Sequence, residues 1–455
     1  MTAVTRPSGT RLDPRSTVAA FLSFVFPGLG QAYNGQRQLA WLLALPIVLL
    51  VATATLAIAA ARAGVLSQLL DSGFLVGVIV LDLALLGWRL LAICQAHGWR
   101  SPFSVRHWTG WATGLLLVAT LGMHLLPAYW AVKAIDTLTA VSREGSGISR
   151  GGIGGLPGTA TLPEPAHLPD VLRGERVNIL LVGIDNMPGR DHSLTDTMMV
   201  FSLDADTGRS ALISIPRDLY GTPLPDGRVY NAKLNSLMSF AAERPTEFPA
   251  GGVAALKAAV GELLGIKIHY FAAMNLLGFK QAVDAIGGVD VYVEREIRDK
   301  TYRDEYGVKD GFYMEAGSHH LDGHLALAYV RSRKGEGDDD FVRSDRQQEL
   351  LNAVRAKLTA GNLVLALPGL LDAVRDTIST DVPQRMFSPL AAAIQNADMG
   401  KLERVVLKPP EHVTPDPFSS AGYILIPDFD AIRETVDALI DGPVAGQGHA
   451  TDTGS

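Results

Sequence analysis

Cysteine is almost missing from this sequence: Cys94 is the one thiol in 455 residues. An intramolecular disulfide is therefore impossible, and a zinc or iron–sulfur site built on cysteines is excluded on count alone. The polar part of the chain has no thiol at all, which leaves an oxidising compartment open to it. Basic excess is also missing. The whole chain carries a net charge of −7 and residues 134–455 carry −13, without the basic footprint of a nucleic-acid-binding domain. Acids, in turn, are scarce early: residues 1–133 hold only Asp13, Asp71 and Asp82 against nine Lys/Arg, a balance of +6. Tryptophan is absent after Trp130. The mean hydropathy of +0.18 is thus a blend of a very apolar first third and an ordinary remainder. That division excludes a simple cytosolic enzyme and a disordered chain. At ~100–200 residues per domain, the length leaves room for two or three domains.

Three stretches are long and apolar enough to cross a ~30 Å bilayer core as helices: 38–61, 66–94 and 108–132. They predict an α-helical multi-span membrane region over 1–133. A shorter apolar run in 18–33 ends in Pro27-Gly28, which breaks a helix, and reads as a short or re-entrant segment. Arg6, Arg11, Arg15 and Arg37 precede the first span, and Arg89, Arg100 and Arg106 surround the turn between the second and third. The positive-inside rule then puts the N-terminus in the cytoplasm and everything after Lys133 outside. Asp71 and Asp82 fall within the second stretch, where a carboxylate is costly. Asp71 can mark the span's outer end; Asp82 calls for a partner.

Residues 134–175 turn rich in Gly, Ser and Pro and read as an extracytoplasmic linker. From Arg176 to about residue 440 the pattern becomes that of an α/β domain. Val177–Ile184 is a near-continuous apolar run, the mark of a buried strand. Met198–Leu203 and Ser210–Ile215 predict two more, joined by the Asp204–Gly208 turn. Helical spacing follows over Val253–Leu264 and Phe279–Ile286, the latter closed by Gly287-Gly288, then a strand over Val289–Val293. Asp322 can cap a helix over Gly323–Tyr329, and Ser344–Leu358 is amphipathic. A strand over Val405–Leu407 and a helix over Phe429–Ile440 complete the pattern, and 441–455 reads as a disordered tail. Strands alternating with helices predict a central mixed sheet with helices on both faces, an α-β-α layered domain.

Polar residues gather at the ends of these elements. Asp185 follows the first strand, Asp196 precedes the second, and Arg217 and Asp218 follow the third. If the three strands are neighbours, two carboxylates and an arginine meet at one edge, where two acids can hold Mg²⁺ together with phosphate oxygens. Ordinary strand-end turn acids would look the same. Arg331 and Arg333, two apart in an extended reading, project to one side. Arg343, Arg346 and Gln347 fall at i, i+3 and i+4 on one helical face. Planar guanidinium groups match phosphate bidentately, so the cluster suits a polyanion. Surface salt bridges with Glu336 and Asp338–Asp340 fit the same spacing. His319, His320 and His324 suggest a metal site, but the intervening Asp322-Gly323 marks a helix start and favours a surface cluster.

In order, the strings NILLVGID (178–185), TDTMM (195–199), SIPRD (214–218), NAKLN (231–235), AVDAIGGVDV (282–291), LDGHLALAYVRSR (321–333) and DFVRSDRQQ (340–348) resemble the LytR-CpsA-Psr family of cell-wall glycopolymer transferases. PGLGQAYNGQ (27–36) resembles a motif of small multi-span membrane domains.

The family resemblance implies a bacterial membrane-anchored enzyme with its domain outside. Such an enzyme transfers a glycan-1-phosphate from a polyprenyl-pyrophosphate-linked carrier to peptidoglycan, releasing polyprenyl phosphate. The resemblance further implies that Asp185 and Asp196 hold Mg²⁺, or Mn²⁺, and that Arg217, Arg331, Arg333 and Arg343 bind the pyrophosphate. Lys233, Asp340, Arg346 and Gln347 match further polar positions of the site, with Asp340 or Asp218 as the base. An apolar groove would take the lipid, with Phe279–Ile286 as one wall. One position departs from the pattern: Leu194 stands where the family carries Arg two residues before the Asp of the TDT string, and Arg190 is the substitute at hand. A pyrophosphatase using water, or a non-catalytic lipid-glycan binder, would share most of these residues.

Overall fold

The computed structural model describes residues 13–61, 67–104, 106–144, 176–185, 194–304, 306–333, 340–357, 369–373, 375, 377–397 and 402–442. Arg190 and the side chains of Asp185 and Asp340 lie outside the described residues, as do most of the expected linker and tail. The chain divides into two compact units, Met1–Asp136 and Thr137–Ser455.

The first unit is helical: α1 (Arg15–Val25), α2 (Leu29–Tyr33), α3 (Arg37–Ala61), α4 (Ser72–Arg100) and most of α5 (Trp108–Glu144), which runs on past Asp136. Of the three expected spans, two meet the length and composition of a membrane-crossing helix among the described residues, Ser72–Arg100 and Trp108–Ser142; a third apolar stretch, Arg37–Thr53, is shorter. The second begins later than position 66, because the Asp71 carboxylate accepts the Phe74 N–H and caps α4. Helix α5 continues to Glu144, so residues 134–144, read as linker from the sequence, are helix; the rest of the expected linker lies outside the described residues. Asp82 finds its partner in His124 of α5, 2.7 Å away. The PGLGQAYNGQ segment acts as a polar clasp. It breaks α1 from α2 with Gly28 at φ 104°. Gln31 then donates to the Ala92 carbonyl (2.8 Å) and Asn34 to that of Ala96 (2.8 Å), while Gln95 donates to Gln36. Amides buried among apolar helices must be paired, and here the pairs tie α2 to α4.

The second unit is the expected α-β-α sandwich. Its strands are β1 (Arg176–Asp185), β2 (Leu194–Asp204), β3 (Ser210–Ser214), β4 (Tyr220–Pro223), β5 (Val229–Lys233), β6 (Tyr270–Asn275), β7 (Val289–Val293), β8 (Ile297–Asp299), β9 (Phe312–Met314), β10 (Gly317–Leu321), β11 (Ile378–Thr380), β12 (Glu403–Val406), β13 (Val413–Asp416) and β14 (Ile424–Pro427). Among the described residues its α-helices include α6 (Leu237–Ala242), α7 (Gly251–Leu264), α8 (Leu276–Ala285), α9 (Gly323–Arg331), α10 (Asp340–Lys357), α11 (Gln384–Asn396) and α12 (Phe429–Asp441). The central sheet runs β11-β6-β1-β2-β3-β12 and is mixed: β6 is parallel to β1 and β12 to β3, and the other pairs are antiparallel.

Alternation sorts the strand residues between two layers. Leu180, Val182, Ile184, Met198, Val200, Phe271 and Ala273 point into a core completed by α7 and α12. The opposite face of the same strands presents Leu181, Gly183, Met199, Ala272 and Met274 toward α8, α9 and α10. Helix α8 starts on Asn275, whose side chain accepts the Gly278 N–H, and packs so close that a Cβ on Gly278 would overlap the Thr377 hydroxyl. The far edge is fixed by Asp381, which accepts from Lys257 at 2.5 Å and from the Phe271 N–H at 2.6 Å. Asp381→Ala leaves the Lys257 ammonium, 16% exposed, without that carboxylate. The expected result is a loss of about 3 kcal/mol in denaturant unfolding of this unit, the range for breaking an ion pair withdrawn from water. A loss under about 0.5 kcal/mol, the size of an exposed pair, would show that the pair contributes little.

Candidate active site

The unit encloses a cavity of about 1280 Å³ between the sheet and α8–α10. Its floor follows from strand register. Leu181 lies between Ala272 and Met199, and Gly183 between Met274 and Thr197. Ala272 and Gly183 carry little or no side chain, which leaves room above the sheet. The walls are apolar: Phe279, Ala282, Val283 and Ile286 line it as the expected wall, facing Leu327 and Val330 of α9 and Leu350 and Val354 of α10.

The mouth of the same cavity is charged. Asp196 arrives there through a β-bulge. Gly183 pairs with Thr197 but Ile184 pairs with Thr195, so Asp196 is the extra residue, and Asp196 and Thr197 both reach the cavity. Leu194 also lines it. Arg217 and Asp218 occupy the turn after β3, laced to the segment after β5 by Asn235 N–H to the Arg217 carbonyl (3.1 Å) and Leu234 N–H to that of Leu219 (2.8 Å). Arg217 donates to Asp196 Oδ1 at 2.7 Å and its Nε lies 3.5 Å from Asp218 Oδ2. Lys233 donates to Asp218 Oδ1 at 2.8 Å. Two carboxylates and two cations therefore alternate along one ridge. Asp218, a candidate base on sequence grounds, is 6% exposed with each oxygen facing a cation, an arrangement that orients Arg217 and Lys233.

The second cluster partly follows the sequence reading and partly corrects it. Arg343 and Gln347 sit on the cavity face of α10. Arg343 reaches the Asp196 carbonyl at 3.5 Å, and Gln347 donates to Thr197 Oγ1 at 2.9 Å. Arg346 does not join them. It is 6% exposed, donates to the Ser332 carbonyl at 3.3 Å and lies over the Tyr329 ring. Burial, together with the Tyr329 hydrogen bond to Glu349 (2.6 Å), pushes the Tyr329 phenol far above its ordinary value. Arg331 is the last residue of α9, and the stretch read as extended is a helix end; Arg331 and Arg333 nevertheless both line the mouth. Arg303 and Asn231 line it as well, and Asp299 lies beneath. Sequence reasoning missed Asp299 and Arg303, because no local periodicity marks the β8–β9 loop, and it passed over Asn231 although that residue opens the NAKLN string. His319 and His320 lie on β10, with His320 against Asp290 at 2.6 Å, and no metal-binding group of three His, Cys, Asp or Glu exists among the described residues.

Chemically, the mouth can receive a multiply charged anion, and the cavity behind it an extended apolar chain. Asp196 is 27% exposed on its side chain and carries its negative charge where that anion would enter. Such a carboxylate, with the phosphate oxygens of a ligand, suits a hard cation of the Mg²⁺ type, which takes one or two acids rather than an all-protein cage.

Residues 164–414 match the LytR_cpsA_psr family, more than half of the chain. A polyisoprenyl-teichoic acid–peptidoglycan teichoic acid transferase TagU of Bacillus anthracis is 32% identical over 218 residues, 48% of this chain; the chain spans 64% of that relative's length. The protein of the same name from Oceanobacillus iheyensis is 28% identical over 310 residues, covering 66% of this chain and 86% of the relative. Among solved structures, B. subtilis TagV is similar with a TM-score of 0.46 and 23% identity over 59% of this chain and 99% of that one. TagT bound to LI-WTA gives 0.46 and 22%, over 62% and 95%. By its sequence over these residues, the chain belongs to the LytR-CpsA-Psr family.

Proposed function

We propose that this protein attaches a wall glycopolymer to peptidoglycan, taking a glycan-1-phosphate from a polyprenyl-pyrophosphate carrier. The observation that carries this reading is the continuity of one cavity, apolar between the sheet and α8–α10 and bordered at its mouth by Arg217, Lys233, Arg331, Arg333 and Arg343. That is the shape of a lipid with a diphosphate head. The TagU relatives, named for the transfer of teichoic acid to peptidoglycan, support the substrate class. The two long apolar helices support a membrane location beside a lipid carrier.

In this reading the prenyl chain lies over Ala272 and Gly183, and the arginines take the diphosphate at the mouth. An acceptor hydroxyl oxygen attacks the glycan-side phosphorus. The bond from that phosphorus to the bridging oxygen breaks, polyprenyl phosphate leaves, and the hydroxyl proton passes to a base, for which Asp340 stands at the start of α10. Phosphoryl transfer of this kind needs positioning and charge neutralisation more than a covalent nucleophile. Arg217, held between Asp196 and Asp218, is preorganised to take charge developing on the departing phosphate. Mg²⁺ or Mn²⁺, held by Asp196 and Asp185, would neutralise part of the diphosphate charge when bound. Asp218 holds Arg217 and Lys233 in place.

The test uses the full chain in detergent with a polyprenyl-pyrophosphate glycan, Mg²⁺ and peptidoglycan fragments. The expected result is polyprenyl phosphate release that depends on the fragments, with phosphodiester-linked glycan recovered on them. Release that ignores the fragments would replace the transferase by a pyrophosphatase. Tight binding without release would leave a lipid-glycan binder.

A further inference from the structure

The β8–β9 loop and the end of α9 come from separate parts of the chain, yet one buried side chain joins them. Asp299, at the end of β8, is 3% exposed. Its Oδ1 accepts the Thr301 N–H (2.9 Å) and the Thr301 hydroxyl (2.7 Å). Its Oδ2 accepts the Ser332 hydroxyl (3.2 Å) and the Arg333 N–H (3.2 Å). Ser332 is held from two further sides, its N–H on the Ala328 carbonyl and its own carbonyl under Arg346. Arg331 crosses the same junction, donating to the Arg303 carbonyl at 3.3 Å with its guanidinium over the Tyr302 ring. Arg303, Arg331 and Arg333 all border the cavity mouth, and Arg303 is steadied by the Gly307 carbonyl at 2.9 Å.

We infer that Asp299 is a positioning residue that fastens the Arg303 loop to the Arg331–Arg333 turn, and that Arg303 is a further contact for the diphosphate. The inference rests on the diphosphate-lipid reading above. Four donors converge on one carboxylate, and two of them are backbone N–H groups, which cannot turn into acceptors. An amide in place of Asp299 offers one acceptor oxygen and turns an NH₂ toward the other side. One segment is then released, while the shape of the side chain is kept. Arginines separated by a loosened junction no longer meet one anion together, although each remains on the surface. Arg303 also supplies a cation at a mouth where Leu194 brings none.

The test measures binding of a C20 isoprenyl diphosphate and of the matching isoprenyl alcohol to the full chain in detergent. Wild type, Asp299→Asn, Arg303→Ala and Arg331→Ala are compared, each with its unfolding midpoint. Asp299→Asn is expected to raise the Kd for the diphosphate about tenfold, the effect of one lost charge-assisted hydrogen bond, and to leave the Kd for the alcohol unchanged. Arg303→Ala is expected to do the same without moving the midpoint. Parallel weakening of both ligands in Asp299→Asn would mean general loss of structure and overturn the positioning role. Diphosphate binding at the wild-type level in Asp299→Asn and Arg303→Ala, with Arg331→Ala weakened, would overturn the inference and spare the functional reading. Failure of wild type to prefer the diphosphate over the alcohol would overturn both.

Discussion

Replacing Arg217 by alanine is expected to cut fragment-dependent release of polyprenyl phosphate by about a hundred- to a thousandfold, the cost of removing one preorganised donor from a developing oxyanion. The change does more than delete a charge. Arg217 lies between Asp196 (2.7 Å) and Asp218 (3.5 Å), so its loss leaves two carboxylates at a mouth that must accept an anion. Arg217→Lys should recover little, since an ammonium is a compact point charge and cannot serve Asp196, Asp218 and a phosphate from one plane. The effect should appear in the rate at saturating lipid as well as in affinity. Release by Arg217→Ala within about fivefold of wild type, well under the range for such a donor, would remove Arg217 from the reaction.

The second large effect is expected from the opposite end of the cavity. Ala272 sits on β6 beside Leu181, and its methyl faces the cavity rather than the core beneath the sheet. Ala272→Trp puts an indole into the floor. If it displaces about three carbons of a bound prenyl chain, at ~0.8 kcal/mol per buried CH₂ the affinity for a C20 isoprenyl diphosphate falls about fiftyfold. Binding of inorganic pyrophosphate should be unchanged, because the arginines at the mouth are untouched. The comparison of the two ligands separates a blocked cavity from a damaged fold. If the lipid diphosphate binds Ala272→Trp as it binds wild type, the prenyl chain does not lie over β6.

Both effects depend on residues of differing legibility. Arg217 is readable: it follows a buried strand, and its SIPRD string belongs to an ordered set of motifs. Ala272 is not, since FAAM looks like any short apolar strand until the register sets Ala272 beside Leu181 and opposite α8. The bulge at Asp196 is similarly silent in TDT, yet it decides that Asp196 and Thr197 reach the same space. Arg346 shows the reverse failure. Its i+3 spacing from Arg343 predicts a shared face, and a turn of 300° does keep the two near each other. The remaining offset is enough to send Arg346 to Ser332 and Tyr329 while Arg343 stays at the mouth. Along the membrane region, apolar length alone suggested a span from position 66, whereas the Asp71 cap starts the helix after residue 71.

Sequence alone determined what rests on neighbours along the chain. The apolar first third, the strands β1–β3, the helices capped by Asp322 and closed by Gly287-Gly288, and the family strings all follow from composition and short-range periodicity, which water and backbone geometry impose locally. Tertiary structure alone decided which of the charged residues meet. Asp299 links the β8–β9 loop to positions 332–333, and Arg331 reaches Arg303, across separations that no periodicity encodes. The physical reason is that a hydrogen bond selects by distance and direction in space, and those are fixed only when the sheet register and the packing of α8–α10 have set where each loop ends.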